Sequence, residues 1–353
     1  PPKEMSKAQI KQCIYEHAQA ARRSIEAGFH GVEITSFMGY LLSDFNSKFT
    51  NVRTDEYGGS VENRGRFMVE LIQVIKETIG DDKLVIVRLN GVELMDEYGG
   101  NTAEECLEFM KMAEGAGADC ISLVIGWHES RTGALGRDVS SDHWLHLAEA
   151  AKKVVDIPVA FGPRFGDPLL AERALGEGSI DFWEVCRPLL ADPELVHKIK
   201  ENRVREIRPC VGGLLCLSRM FRNLPYICTV NPRLGHEYEP EYAIKPAVAP
   251  KKVMVIGAGP GGLECAISAA RRGHLVTVVD RKAEVGGQLL SASKEVGGGE
   301  VFLKLVDHYK SQIEKFNVNL KLGTEANPKL CEAEGPDVVV VATGADIVPL
   351  SDG

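Results

Sequence analysis

Lys252-Val-Met-Val-Ile-Gly-Ala-Gly-Pro-Gly-Gly262, followed by Leu275-Val-Thr-Val-Val-Asp280, is the stretch on which the fold turns. An apolar, β-branched run ends in glycines, a helix-forming segment from Leu263 to Arg272 follows, and a second apolar run ends in an acid. Glycines let the backbone approach a pyrophosphate, a helix N-terminus stabilises its charge, and the acid binds a ribose hydroxyl. A lone GxGxxG is equally a Gly-rich turn without a ligand. Strand, glycines, helix, strand and acid in this order favour a dinucleotide site. Gly257, Gly259, Gly262 and Asp280 are its candidate contacts. Because 251 residues precede Lys252, the nucleotide domain must serve something upstream.

From Ser6 to about Arg203 amphipathic helices alternate with short apolar strands. The spacing predicts helix Lys7–Ala27 before strand Gly31–Ile34, helix Asn63–Ile79 before Leu84–Leu89, and helix Ala103–Ala116 before Cys120–Val124. Helix Trp144–Val154 then precedes Ile157–Phe161, and helix Pro168–Glu177 precedes Asp181–Val185. Repeated βα units with fully apolar strands imply an α/β fold with a parallel sheet, closed as a barrel or open and doubly wound. Tyr40, Arg88, His128, Arg164 and Arg187 follow the strands, where a (β/α)8 barrel builds its active site. Five strands cannot close that barrel, and the chain stops soon after Asp337-Val-Val-Val-Val-Ala-Thr-Gly344. The sequence is therefore expected to belong to a longer polypeptide or a homo-oligomer. A Pro-rich connector, roughly Tyr238 to Pro250, separates the two α/β regions.

Composition excludes several classes. With 41 basic and 50 acidic residues the net charge is −9, and no basic run offers a nucleic-acid or membrane-headgroup surface. No apolar stretch reaches the ~18–20 residues that span a bilayer, and no signal-peptide pattern opens the chain. Nine cysteines, an odd and mostly scattered set, argue against a disulfide framework and for a reducing, cytoplasmic setting.

Leu41-Leu-Ser-Asp-Phe-Asn-Ser-Lys-Phe-Thr-Asn-Val-Arg-Thr-Asp-Glu-Tyr-Gly-Gly-Ser60, with Glu62-Asn-Arg64 and Arg66-Phe67, resembles the old yellow enzyme superfamily. Cys210, the Cys216–Cys228 pair, Asn231-Pro232 and the downstream dinucleotide fingerprint are similar to its multidomain branch, that of the 2,4-dienoyl-CoA reductases and trimethylamine dehydrogenases. Gly126-Trp-His-Glu-Ser-Arg131 and Met38-Gly-Tyr-Leu41 most resemble the 2,4-dienoyl-CoA reductase type. The resemblance implies an FMN-binding TIM barrel over residues 1–205 whose first strands are absent. It further implies an iron–sulfur segment at 206–240, a linker at 241–250, and an incomplete Rossmann-like FAD domain at 251–353. Many relatives carry histidines where this chain has Thr35 and Met38. Their replacement argues against a simple enone reductase and an amine dehydrogenase, and moves substrate polarisation and proton donation to Tyr40 and His128.

The implied reaction is NAD(P)H-dependent reduction of a C=C bond in an unsaturated, dienoyl- or aryl-type CoA thioester, with electrons passing from FAD through the iron–sulfur segment to FMN. Such a reduction needs a hydride donor on one face and a proton donor near the carbanion or enolate that forms; flavin N5 supplies the first. Tyr40 would donate the proton, and His128 would assist it or hydrogen-bond the thioester oxygen. By resemblance Arg88 lies beside the flavin ring, while Arg164 and Arg187, with the backbone at Gly162, clamp the FMN phosphate. Gly286-Gly287-Gln288 and Ala342-Thr343-Gly344 continue the FAD site. The branch holds a [4Fe-4S] cluster on four cysteines, but here the second position is Gly213, leaving Cys210, Cys216 and Cys228. Four readings stay open there: a cluster with a non-cysteine ligand, a three-iron cluster, no cluster, or a zinc site completed by water. The rival functions are reduction of a steroid, bile-acid or phenolic enone, oxidation of a methylated amine, and a non-catalytic electron-transfer subunit. The loop from Thr132 to Asp142 is expected to help select the substrate.

Overall fold

The computed structural model describes residues 3–131 and 133–345. Two units divide the chain, residues 1–185 and 186–353, and each has its own core.

In the first unit helices α1 (Lys7–Glu26), α2 (Leu41–Asn46), α3 (Val61–Ile79), α4 (Ala103–Gly115), α5 (Leu145–Ala151) and α6 (Pro168–Gly176) alternate with five strands. These are β1 (Gly31–Ser36), β2 (Leu84–Val92), β3 (Cys120–Ile125), β4 (Val159–Phe161) and β5 (Phe182–Trp183), all parallel and in chain order across the sheet. Local signals start the helices. Ser6 with Gln9, and Thr102 with Glu105, form capping boxes at α1 and α4, and Asp167 caps α6 ahead of Pro168. The register aligns Thr35, Arg88, Ser122, Ala160 and Phe182 in one row, and Ser36, Leu89, Leu123, Phe161 and Trp183 in the next. Because pleated neighbours in a row share a face, Leu89, Leu123 and Phe161 form the fully buried layer, while Arg88 and Ser122 belong to the opposite face. β2 runs past its expected end at Leu89 to Val92, and its pairing with β3 shifts register between Asn90 and Val92. Such bulges re-aim side chains at strand ends.

The second unit opens with α7 (Arg187–Ala191), α8 (Leu195–Lys200) and α9 (Leu215–Phe221), which precede a four-stranded parallel sheet. Its strands are β6 (Lys252–Ile256), β7 (Leu275–Val279), β8 (Asn319–Lys321) and β9 (Val338–Val341), in spatial order β8-β7-β6-β9. Helices α10 (Pro260–Arg271), α11 (Leu289–Ala292), α12 (Val301–Lys315) and α13 (Pro328–Glu334) connect them. Leu263, Ala266 and Ile267 of α10 bury against Val253, Val255, Val276 and Val278, while Leu305, Tyr309 and Ile313 of α12 join the same core. The connector closes on this unit through Ala247 N–H to the Arg272 carbonyl at 2.8 Å. Among the described residues no helix is long and apolar enough to cross a membrane.

Candidate active site

The loops that leave β1 and β3 are joined. Met38 and Trp127 form an isolated parallel bridge, and Gly39, at φ +92°, lies so close to the Trp127 indole that a Cβ there would sit 2.9 Å from Nε1. Ser43 accepts from the Gly39 N–H at 2.9 Å, and its hydroxyl lies 2.8 Å from both the Phe37 and Tyr40 carbonyl oxygens. These ties bring Tyr40 and His128 together, edge to face at 5.2 Å between ring centroids. Tyr40 is 49% exposed, and His128 is exposed as well, so both are open to a substrate. Phe37 packs edge-on against Tyr40 at 5.5 Å, and the Arg88 guanidinium lies over Phe37 at 5.5 Å. A continuous set of contacts thus runs from Arg88 to His128.

Arg88 is weakly paired. Its Nη atoms lie 3.5 Å from Glu33 Oε1 and Glu184 Oε2, at the long limit for hydrogen bonds. Among the described residues Arg88 Nε and, in the same row on the next strand, Ser122 Oγ are buried without hydrogen-bond partners. Each such group costs ~1–3 kcal/mol when left unmatched, so the row fits a ligand with polar ring atoms, as a flavin has. Arg164 and Gly162 follow β4, and each has contacts of its own within the unit. Arg164, at φ +58°, donates from Nε to the Gly136 carbonyl at 2.8 Å and from Nη2 to Arg137 at 3.3 Å, tying down the preceding loop. A Cβ on Gly162 would meet the Glu184 carbonyl oxygen at 2.4 Å, so the adjoining backbone at β5 itself requires glycine there. Arg187 is the first residue of α7, in the second unit. Thr132 lies outside the described residues.

Two carboxylates flank the aromatic pair in sequence, Asp44 and Glu129. Burial, with the charge of Glu129, pushes Asp44 up to about 6.

In the second unit the glycine loop divides into close-packed and open positions. A Cβ on Gly257, at φ +115°, would lie 2.3 Å from the Ala342 carbonyl oxygen, and one on Gly262 would lie 2.0 Å from that of Gly257. Gly259, immediately before α10, has nothing within 4 Å of such a Cβ. That combination fits a dinucleotide: two glycines let strand and helix meet, and the third leaves room at a helix N-terminus. Asp280 accepts from Ala258 N–H at 2.6 Å and Lys282 N–H at 2.8 Å. Gly287, at φ +56°, packs against Gly259, and Gln288 Nε2 donates to the Ala345 carbonyl at 2.8 Å. Thr343 follows Ala342 beside Gly257.

Cys210, Cys216 and Cys228 are free thiols, each partly buried. Burial raises the Cys210 thiol, opposed by the Gly212 N–H and the Arg187 charge. Among the described residues no group of three or more His, Cys, Asp or Glu side chains is placed to hold a metal ion. With Gly213 at the second position, the segment does not fit a four-thiolate cluster.

Asn90, one residue past the strand end the sequence predicts, is a functional residue that no motif marks; its side chain bonds to both active-site loops. Its signal is a polar residue directly after an apolar strand.

Residues 1–206 match the NADH:flavin oxidoreductase / NADH oxidase family, and residues 251–349 match the pyridine nucleotide-disulphide oxidoreductase family. The NADH oxidase of Thermoanaerobacter brockii is 39% identical over 352 residues, covering 98% of this chain and 53% of that protein. The cinnamate reductase of Clostridium sporogenes is 35% identical, covering 97% of this chain and 53% of its own. A solved complex of a 2-naphthoyl-CoA reductase with 2-naphthoyl-CoA superposes with a TM-score of 0.95 at 42% identity, over 99% of this chain and 53% of that one. The chain thus spans about half the length of the relatives it matches.

Proposed function

This chain belongs to the NADH:flavin oxidoreductase / NADH oxidase family, and on that premise we propose that it serves NAD(P)H-dependent reduction of a C=C bond in an aryl- or dienoyl-type CoA thioester. The observation that carries the reading is the Tyr40–His128 pair, exposed at the strand ends and linked through Phe37 to Arg88. Arg88 and Ser122 would hold FMN, and Gly257, Gly259, Gly262, Gly287, Gln288 and Thr343 would hold FAD. A bound flavin supplies hydride chemistry. Tyr40 Oη gives its proton to the substrate carbon that gains negative charge, and His128 hydrogen-bonds the thioester oxygen, lowering the cost of charge there. A positioned proton donor of this kind contributes about 10²–10⁴-fold in rate. The 2-naphthoyl-CoA bound by the structural relative supports the thioester class. Transfer through the cysteine segment forms no part of this reading, because only three thiols stand where four would be needed.

The test is anaerobic. The holoenzyme is reduced chemically, and flavin absorbance is followed on adding dienoyl- or aryl-CoA; separately, methylated amines are added to the oxidised form. Rapid reoxidation by a thioester is expected. Bleaching by an amine, with no response to any acyl-CoA, would replace the reductase reading with a dehydrogenase.

A further inference from the structure

Asn90 is almost fully buried, 6% exposed, at the register shift between β2 and β3, and all its bonds go to backbone. Its Oδ1 accepts from the Met38 N–H at 3.0 Å; its Nδ2 donates to the Gly126 carbonyl at 2.6 Å and to the Val92 carbonyl at 3.3 Å. The partners fix the amide's orientation, since a backbone N–H can only donate and a carbonyl can only accept. Met38, at φ +57°, and Gly126, at φ +85°, each lie two residues before a member of the aromatic pair, Tyr40 or His128. One side chain therefore holds both turns in uncommon backbone conformations. The register shift is what brings it there.

We propose that Asn90 is a positioning residue for proton donation: by bonding Met38 and Gly126 it sets the 5.2 Å, perpendicular arrangement of Tyr40 and His128. The inference rests on the reductase reading. Its amide oxygen and nitrogen are committed to backbone groups, so Asn90 acts through the two loops. Losing the tie lets the loops drift relative to each other, and a shift of about 1 Å in a donor can cost on the order of 10²-fold in rate.

Three variants of the flavin-loaded, full-length protein test this by stopped-flow spectroscopy of the two half-reactions. Asn90→Leu removes all three bonds while roughly keeping shape. Asn90→Asp keeps the acceptor for Met38 but, when ionised, sets a carboxylate against the Gly126 carbonyl; protonated, its O–H replaces the lost donor. Tyr40→Phe is the control for the reading itself. The titratable groups lining the small polar cavity beside Asn90 are Glu93 and Cys106, and Tyr40 and His128 lie on the loops it ties. All four persist in both Asn90 variants, so an acid limb peculiar to Asn90→Asp belongs to position 90. The expected result is a 10–100-fold slower reoxidation by thioester in Asn90→Leu, with little change in apparent substrate affinity and an unchanged rate of reduction by NAD(P)H. Asn90→Asp should be slow at pH 8 and recover as pH falls. Wild-type reoxidation in Asn90→Leu, or an Asn90→Asp protein that is folded and flavin-loaded yet equally slow at every pH, overturns the positioning role while Tyr40→Phe remains slow. A Tyr40→Phe protein at wild-type rate instead removes the reductase reading, and the positioning role with it.

Discussion

The two units solve different problems with different parts of the chain. In the second unit the candidate binding surface is backbone: Gly257 and Gly262 are spaced by contacts that no side chain could share, and Gly259 is left open. In the first unit the candidate chemistry is in side chains. Tyr40 and His128 are separated by 87 residues of other structure, and they meet because Asn90, Ser43 and Trp127 knit two loops together. Backbone recognition is written locally and survives on its own spacing. Side-chain chemistry depends on tertiary ties scattered through the sequence.

The largest effect should come from the glycines. Gly262→Ala places a Cβ 2.0 Å from a carbonyl oxygen, and the FAD content of the purified protein should fall to near zero. Gly259→Ala meets open space and keeps ordinary backbone angles, so that variant should fold and lose FAD affinity alone. Equal thermal stability of the two variants would break the contrast between packed and open positions.

The next effect tests whether the second unit also relies on side chains, away from its nucleotide loop. Arg208 pairs with both carboxylate oxygens of Glu264 on α10 at 2.7 and 3.0 Å, and also donates to the Val230 carbonyl. It therefore anchors both ends of the cysteine segment to the Rossmann-like helix. Both side chains are partly buried, so losing these charged hydrogen bonds should cost up to about 3 kcal/mol, and Arg208→Ala should unfold at correspondingly lower denaturant. A loss below about 1 kcal/mol would make the tie dispensable.

Acid should act there too. His308 on α12 is 3% exposed, with Nδ1 against the Glu206 carbonyl at 3.0 Å. Burial, with the charges of Arg208 and Lys198, pushes its pKa down to about 4. The folded state thus holds the ring neutral while the unfolded chain protonates near 6.5. Stability is complete above pH 6.5 and is lost as pH falls from there toward 4, by about 3 kcal/mol. His308→Gln should flatten that part of a pH–stability curve.

The smallest effect lies beside the aromatic pair. Asp44, held up at about 6, favours its protonated form in the folded state, so its contribution is full below pH 4 and is lost as pH rises toward 6. The group is partly exposed, which reduces the effect to about 1 kcal/mol. Asp44→Asn should be more stable than the parent at pH 7 by roughly that amount.

The contrast explains what could be read from the sequence. The dinucleotide loop was legible because glycine is demanded where φ is +115° or where a Cβ would strike backbone, and few other residues meet that demand. The parallel α/β architecture was legible from apolar strands such as Cys120–Ile125, buried throughout. Strand ends were less so. β5 spans only Phe182–Trp183, because it has just two partners on β4, and pairing cannot be inferred from five apolar-rich residues alone. Tyr40 and His128 could be picked out by type and position, but their contact could not. Arg164 could be picked out by its place after a strand, but its Nε and Nη2 bonds to the 136–137 loop, set by tertiary packing, could not.

The most direct test of the central claim separates the half-reactions in wild type and Tyr40→Phe by anaerobic stopped flow. If chemistry rests on the first unit's side chains and nucleotide binding on the second unit's backbone, reduction by NAD(P)H keeps its rate. Reoxidation by an unsaturated CoA thioester then slows by on the order of 10²-fold or more. Equal reoxidation rates in the two proteins would contradict the claim.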